Sequence, residues 1–128
     1  MVPALARWAG FAAVGGGLVL LVWSHAALGP NWSDEPGLLP DQRLIRHGPY
    51  RSVRHPIYTA FLLIFCSMLL LSANLLVGLA WACMAAIEVF SRIRFEEHIM
   101  LEAFGDSYRA YMDTTGRLLP PIVSEATP

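Results

Sequence analysis

Apolar positions along the chain fall into two long runs, which a polar segment separates. The first run covers residues 4–28 and contains a single charged side chain, Arg7. At about 1.5 Å per residue, a helix of this length crosses a bilayer core of roughly 30 Å, so we predict a retained transmembrane helix rather than a signal peptide. Gly29 and Pro30 end this helix, and a polar loop is predicted over residues 29–56.

The second apolar run contains no charged side chain from residue 57 to residue 87. It is longer than one membrane crossing requires, and Ser72, Ala73 and Asn74 form a turn sequence near its middle. The pattern therefore predicts a helical hairpin, with a second transmembrane helix over 57–72 and a third over 74–92.

The chain becomes amphipathic after the predicted third helix. Apolar side chains between Leu101 and Tyr111 follow helical spacing, with charged residues between them. Gly105 is typical of a helix C-cap, and Asp106 directly after it is typical of a new N-cap. A tail of two short helices is therefore predicted over residues 93–120.

The composition supports an all-α integral membrane protein. Of the 128 residues, 55% are hydrophobic and 15% are charged, and the mean hydropathy is +0.49. A soluble domain of this size has more surface than so few charges can cover. We therefore predict one membrane-embedded domain over residues 1–128. The net charge is −1, no nucleic-acid partner is predicted, and the sequence shows no metal-ligand spacing.

The positions of the arginines predict the topology. Four lie in the loop and four near the C-terminus, while the hairpin turn has none: Arg43, Arg46, Arg51 and Arg54, then Arg92, Arg94, Arg109 and Arg117. With three crossings the loop and the tail share one face of the membrane, and the positive-inside bias makes that face cytoplasmic. Two polar segments far apart in sequence are thereby predicted to meet.

Chemistry-bearing side chains are concentrated in those two segments. Pro56 fits the first turn of a helix, which leaves Arg54 and His55 at a helix N-terminus, where an anion is favoured. The alternative is that the arginines are ordinary membrane anchors and the tyrosines interfacial aromatics. The converging set is His47, Tyr50, Arg51, Arg54, His55 and Tyr58 from the loop, with Glu88, Arg92, Arg94, Glu96, Glu97 and His98 from the far end of the hairpin.

Two stretches of the sequence resemble one known family. "GPYRSVRHPIYTAFLL", with "RIRFEEHIMLEAFGDSYRAYMDTTGRLLP" about forty residues later, resembles the isoprenylcysteine carboxyl methyltransferase family and, more widely, the membrane phospholipid N-methyltransferases. "LGPNWS" is also similar to that family's segment ahead of the first stretch, so the resemblance covers roughly residues 28–120. Thr59 and Ala60 stand where family members usually have a pair containing glycine. Many members also have further N-terminal helices, so neighbouring subunits of a homo-oligomer could complete the site.

The resemblance implies methyl transfer from S-adenosylmethionine to a lipophilic acceptor at the cytoplasmic membrane face. A carboxylate on a lipidated or small isoprenoid substrate is favoured, an aminolipid amine is the alternative, and a non-catalytic membrane scaffold is the competing class. Arg94 is predicted to orient the acceptor. The predicted cofactor-binding residues are His47, Gly48, Tyr50, Arg54, His55, Pro56, Tyr58, Glu96, Glu97, Tyr108 and Tyr111.

Individual roles follow from the chemistry of that cofactor. Either Glu96 or Glu97 is predicted to pair with the ammonium of the cofactor. Adjacent residues on a helix point about 100° apart, so the two glutamates are not expected to contact the same group. The other glutamate is predicted to fix an arginine. Arg54 and His55 are predicted to hold its carboxylate. The tyrosines are predicted to enclose its adenine or its sulfonium, because aromatic faces attract cations. Membrane lipids surround the site, and the lipophilic acceptor is expected to enter between helices.

Overall fold

The computed structural model describes residues 2–35, 37–72 and 74–122 of the chain. All of the longer elements in these ranges are helices, which agrees with the predicted all-α class. They are α1 Ala4–Leu28, α2 Pro56–Cys66, α3 Met68–Leu71, α4 Leu75–Phe104 and α5 Asp106–Thr114, with short 3₁₀ turns at Gly29–Asn31 and Gly48–Arg51.

Small residues let α1 pack closely against the following helices. The buried positions of α1 are Gly10, Gly17 and Ser24, which recur every seven residues. A Cβ atom added to Gly17 would lie 2.6 Å from Ile64 Cγ1, and one added to Gly10 would lie 2.9 Å from Leu71 Cδ2. Because membrane helices associate through close backbone approach rather than through a hydrophobic driving force, this seam holds α1 against α2 and α3.

The predicted second transmembrane helix is interrupted near its end. α2 stops at Cys66, and α3 begins again at Met68. At the break, the Ser67 hydroxyl donates a hydrogen bond to the Leu63 carbonyl oxygen at 2.6 Å, which is the back-bonding that tends to bend helices. Ser67 keeps a helical backbone, with φ −62° and ψ −20°, so the helix predicted over 57–72 is present as the apolar segment Pro56–Leu71 with a local interruption at Ser67.

The helix α4 is longer than predicted. The sequence analysis ended the third helix at residue 92 and began a separate tail helix after it, but α4 continues without a break to Phe104. No glycine or proline interrupts residues 88–104, and Glu88 pairs with Arg92 one turn apart. The change from apolar to charged side chains marks a change of surroundings within one helix, which the sequence analysis mistook for a helix end.

Of the two cap predictions near Gly105, the C-cap at Gly105 is confirmed, whereas the N-cap at Asp106 is wrong because Gly105 is also the N-cap of α5. A local signal also marks the start of α4. Asn74 is its N-cap, and Asn74 Oδ1 accepts hydrogen bonds from the backbone N–H groups of Leu76 and Val77. Gly105 ends α4 with a φ of +52°, and α5 begins at the next residue. Ala73, the central residue of the predicted turn, lies outside the described residues.

A C-terminal strap, defined here as residues 115–118, returns to the start of α2. Val53 and Gly116 form a parallel β-bridge. The backbone N–H groups of Arg54 and His55 donate to the carbonyl oxygens of Gly116 and Arg117 at 2.8 and 3.1 Å. The strap thereby fixes the loop just before α2 against the end of the chain.

Among the described residues, two helical segments are long and apolar enough to cross a membrane, Ala4–Asn31 and Leu75–Phe104. The apolar segment Pro56–Leu71 is shorter than these two. At about 1.5 Å per residue its sixteen residues span about 24 Å, less than a typical bilayer core. Three crossings and the cytoplasmic orientation of the loop stay predictions.

Candidate active site

The loop before α2 and the charged end of α4 meet, as the sequence analysis expected. His55, the N-cap residue of α2, has its Nε2 atom 3.1 Å from Oε1 of Glu97, 42 positions further along the chain. Pro56 occupies the first turn of α2, where its missing N–H needs no partner. The packing of α2 against α4 brings the two segments together.

Glu97 is the centre of a buried ionic cluster. It is 5% exposed, and its carboxylate accepts hydrogen bonds from Arg54 Nε at 3.0 Å, His55 Nε2 at 3.1 Å and Arg117 Nη2 at 2.9 Å. These donors come from the loop, the α2 N-terminus and the strap. Glu97 therefore joins three segments of the fold.

Arg54 is also committed to the fold. Besides its bond to Glu97, its Nη1 atom donates to the carbonyl oxygens of Met112 and Thr115 at 3.1 and 2.6 Å. The strap carbonyls occupy the backbone donors of Arg54 and His55. The predicted anion site at this helix N-terminus is therefore not supported, because the groups expected to hold a carboxylate already have internal partners.

A cavity of about 580 Å³ lies beside the ionic cluster. Its size is within the ordinary range for small-molecule sites. Its apolar wall is formed by side chains of α2 and α4, and its opposite side by the loop that follows α1. The wall residues include Ile57, Phe61, Phe65, Ala85 and Val89, and the loop side includes His25, Asn31, Trp32 and Arg43.

Glu96 is the carboxylate that faces this cavity. Its side chain is 33% exposed, against 7% for Glu97. The Tyr58 hydroxyl donates to Glu96 Oε1, and His55 Nδ1 lies 3.8 Å from Glu96 Oε2. The two adjacent glutamates thus have different environments, since one lines the cavity and the other holds Arg54 as the sequence analysis had allowed.

The cavity contains Arg92 and not Arg94. Arg92 lines it and donates from Nε to Glu88 Oε1 at 2.6 Å. Arg94 lies on the same helix two residues later, which rotates it about 200° away. It is exposed, and none of the hydrogen bonds or ion pairs among the described residues involves it. This placement does not support the prediction that Arg94 orients an acceptor.

Three predicted tyrosines are brought to the cavity by the loop and α5: Tyr50, Tyr108 and Tyr111. The Tyr111 hydroxyl donates to the Tyr50 carbonyl oxygen at 2.6 Å. Burial raises the pKa of Tyr111 to about 12, against the opposing positive charges of Arg54 and Arg46. Tyr111 therefore stays a neutral donor at physiological pH and ties α5 to the loop.

Three other predicted residues do not line the cavity. His47 is exposed, and Pro56 is buried at the start of α2. Gly48 has a φ of +61°, and a Cβ atom added to it would lie 3.2 Å from the Ala27 Cβ, so this position shapes the loop against α1. Their predicted contact with a cofactor has no support in their surroundings.

Sequence reasoning missed the loop side of the cavity. His25 lies in the last turn of α1, and its ring is 5.2 Å from the Trp32 ring, centroid to centroid. Asn31 Oδ1 accepts the Arg43 N–H at 2.7 Å, which closes the loop over the cavity. The available signal was the "LGPNWS" segment, which was noted for its resemblance alone. Phe61 and Phe65 were missed because an apolar residue in an apolar helix carries no mark of a cavity.

The helical fold is that of an integral membrane protein, and its cavity lies at the charged end of α4. The model of the isoprenylcysteine carboxyl methyltransferase (ICMT) family matches residues 10–102. The chain therefore belongs to this family, as the sequence resemblance indicated.

Relatives and a solved structure support this assignment. Methanethiol S-methyltransferase 1 of Bradyrhizobium diazoefficiens is 35% identical over 71 residues, which are 56% of this chain and 24% of that protein. Protein-S-isoprenylcysteine O-methyltransferase A of Arabidopsis thaliana is 30% identical over 77 residues, 60% of this chain and 39% of that protein. The structure of the eukaryotic intramembrane Ras methyltransferase ICMT superimposes with a TM-score of 0.82 at 25% identity, over 92% of this chain and 43% of that one.

The chain spans well under half of each of these proteins. The shared part includes the loop before α2 and the paired glutamates of α4, since the family match runs from residue 10 to residue 102. The likeness therefore includes the loop, α2 and the part of α4 that line the cavity, whereas α5 with Tyr108 and Tyr111 lies beyond the family match.

Proposed function

We propose that this protein is an S-adenosylmethionine-dependent methyltransferase that acts on a lipophilic acceptor at the cytoplasmic side of a membrane. Family membership supports methyl transfer. The observation that carries the proposal is the position of Glu96, a half-exposed carboxylate that lies in an aromatic cavity between Tyr58 and His55. Such a pairing of a carboxylate with aromatic faces suits a ligand that carries two positive charges.

The residues present fit this cofactor. Glu96 would pair with its ammonium, and the rings of Tyr50 and Tyr58 offer faces to a sulfonium. When bound, the cofactor supplies an electrophilic methyl group. The protein's part is to orient both reactants and to exclude water, for which the apolar wall around Phe61 and Phe65 is suited.

A carboxylate acceptor is favoured because Arg92 is the cationic side chain next to Glu96 in the cavity. Its partner Glu88 is largely exposed, and such i,i+4 pairs contribute only about 0.3–0.5 kcal/mol. An incoming carboxylate can therefore take the place of Glu88. A lipophilic tail would lie along Phe61, Phe65 and Val89.

A thiol acceptor is the second candidate, and the Arg92–Glu88 pair is the observation that favours it. Glu88 balances the charge of Arg92, so an acceptor carboxylate would have to compete with Glu88 for that side chain. Two of the matched relatives are named as methanethiol S-methyltransferases, of Bradyrhizobium diazoefficiens and Pseudomonas deceptionensis. A thiol needs no cationic partner, but it must lose its proton before or during transfer.

The test is methyl transfer by the purified protein in lipid nanodiscs with methyl-labelled S-adenosylmethionine. An isoprenylated cysteine, a small alkyl thiol and an aminolipid are offered separately, and each product is identified by mass spectrometry. Label on the carboxylate supports the first candidate, and label on sulfur supports the second. Cofactor binding without transfer to any acceptor class would favour a non-catalytic scaffold, and absence of cofactor binding would contradict the proposal.

The cofactor-binding part is tested by Glu96→Gln. A hydrogen bond to a charged group contributes about 1.5–3 kcal/mol, so its loss predicts a fall in S-adenosylmethionine affinity of roughly 10- to 100-fold. Glu102→Gln is the matched control, because Glu102 lies on the same helix, is exposed and pairs only with His98. Equal affinities of the two variants would remove Glu96 from the proposed site.

A further inference from the structure

His55 lies between two carboxylates that differ in distance and surroundings. Its Nε2 atom is 3.1 Å from Glu97 Oε1, which is within hydrogen-bond range. Its Nδ1 atom is 3.8 Å from Glu96 Oε2, which is too long for a hydrogen bond. The imidazole is buried, with a side-chain exposure of 7%, and it lines the cavity.

These distances decide which nitrogen carries the proton. An ionised carboxylate only accepts hydrogen bonds, so the atom bonded to Glu97 must be the N–H of the ring. Arg54 and Arg117 also donate to Glu97, and their charges keep it an anion. With that proton on Nε2, Nδ1 is the ring nitrogen that can accept a hydrogen bond, and it lies on the side of Glu96 and the cavity.

We propose that Glu97, held by Arg117, is a positioning residue that fixes His55 with Nδ1 as a hydrogen-bond acceptor, so that Nδ1 and Glu96 together form a receptor for an ammonium group. This goes against the role predicted from the sequence, in which His55 held a carboxylate. The assignment of this ammonium to the methyl donor rests on the proposed function. The position of the proton on His55 is independent of that function.

Two acceptors that face each other across 3.8 Å leave room for a shared donor. A primary ammonium has three N–H donors and can reach both acceptors, whereas an anion would meet the charge of Glu96 and find no donor on Nδ1. The backbone N–H of His55 gives no alternative anion site, because it donates to the Arg117 carbonyl oxygen. The ionisable groups around the ring are Tyr58, Glu96 and Glu97, with Arg54 and Arg117 beyond Glu97.

The strap carries part of this arrangement. Arg117 is 47% exposed, so its side chain can be changed without opening the interior. The strap keeps its backbone bonds to the loop and the bond from the Thr59 hydroxyl to the Leu118 carbonyl oxygen at 2.5 Å. Removal of the Arg117 side chain takes one of the donors from the Glu97 carboxylate, so Glu97 is held less firmly against His55 Nε2. The proton is then no longer confined to Nε2, and a proton on Nδ1 would convert that atom from an acceptor into a donor.

The direct test is ¹⁵N NMR of the histidine rings in the detergent-solubilised protein without ligand at pH 7.5, with the His55 signals assigned by their loss in His55→Gln. We expect the neutral tautomer with the proton on Nε2. A proton on Nδ1, as the other tautomer or as imidazolium, would overturn the proposal. This result does not depend on activity, so it separates failure of the inference from failure of the proposed function.

The second test compares Arg117→Gln with the conservative Arg117→Lys. In Arg117→Gln we expect part of the His55 signal to change to the tautomer with the proton on Nδ1, and the affinity for S-adenosylmethionine to fall about tenfold, as for one lost hydrogen bond to a charged group. Arg117→Lys should keep the wild-type His55 signal and the wild-type affinity for S-adenosylmethionine. The deaminated analogue of S-adenosylmethionine should bind all three proteins alike. An equal loss for the analogue would show that Arg117 only stabilises the fold, which would contradict the positioning role.

Discussion

His55 Nε2 lies 3.1 Å from Glu97 Oε1 although 42 residues separate them. One residue starts α2, and the other lies near the end of α4. Their contact makes the loop and the glutamate pair one structural unit, with Arg54 and Arg117 around it. The cavity lies on the other side of His55, so the ring separates an ionic cluster that stabilises the fold from a surface that can bind a ligand.

Glu97→Ala is expected to destabilise the protein strongly. Loss of this carboxylate leaves the Arg54 guanidinium, 8% exposed, without its anionic partner. Breaking a buried ion pair from one side typically costs about 3–5 kcal/mol. The measurement is the unfolding midpoint in detergent. Glu88→Ala is the control, because its pair with Arg92 is exposed and contributes at most about 0.5 kcal/mol.

Similar midpoints for Glu97→Ala and Glu88→Ala would contradict the assignment of Glu97 to the fold. A large loss of cofactor affinity in Glu97→Ala with an unchanged unfolding midpoint would instead indicate that Glu97 contacts the cofactor. That was one of the two alternatives predicted from the sequence.

Arg92 and Arg94 are expected to differ in their effect on catalysis. Arg92→Gln should lower turnover of a carboxylate acceptor by about tenfold or more, because it removes a charge-assisted contact in the cavity. Arg94→Gln should change turnover by less than about twofold, since Arg94 is exposed on a different face of α4. The measurement is kcat and KM for the acceptor at saturating cofactor. The reverse order would restore the role predicted for Arg94.

Elements that have a local cause were predictable from the sequence. Pro56 starts α2, Asn74 caps α4 and Gly105 ends it, and each of these signals acts through the residue's own backbone or side chain. The length of α4 was not predictable in this way, because its later turns change surroundings without any helix-breaking residue. The break at Ser67 was equally hidden in a continuous apolar run.

The sequence predicted which segments meet at the site, but it could not predict which of the two glutamates faces the cavity. Spacing placed Glu96 and Glu97 about 100° apart on a helix, but which of them meets Arg54 depends on how α4 rotates against α2. The strap was missed because backbone pairing between Val53 and Gly116 needs no particular side chain. The same strap accepts hydrogen bonds from the backbone N–H groups of Arg54 and His55, which had been predicted to face an anion.

Tyr111→Phe is expected to lower the free energy of unfolding by about 0.5–1.5 kcal/mol, the usual contribution of one hydrogen bond. The lost bond is the one to the Tyr50 carbonyl oxygen. The folded-state pKa of Tyr111 is raised to about 12, so its neutral hydroxyl contributes fully below the unfolded pKa near 10 and is lost as the pH rises through 12. The difference in unfolding free energy between wild type and variant should therefore be equal at pH 7 and pH 9 and should shrink between pH 10 and pH 12. A difference that stays constant between pH 10 and pH 12 would contradict the raised pKa of this hydroxyl.

Two glycines of α1 test the packing of that helix. Gly17→Ala should destabilise the protein by about 1–3 kcal/mol through overpacking, because its Cβ would lie 2.6 Å from Ile64 Cγ1 and 3.2 Å from the Ala60 carbonyl oxygen. Gly15→Ala is the matched control, since a Cβ there meets no atom within 4 Å and alanine is the better helix former. Its unfolding midpoint in detergent should equal or slightly exceed that of the wild type. If Gly15→Ala destabilised as much as Gly17→Ala, the seam between α1 and α2 would lie on a different face of α1, and the cavity side formed by His25 and Trp32 would move with it.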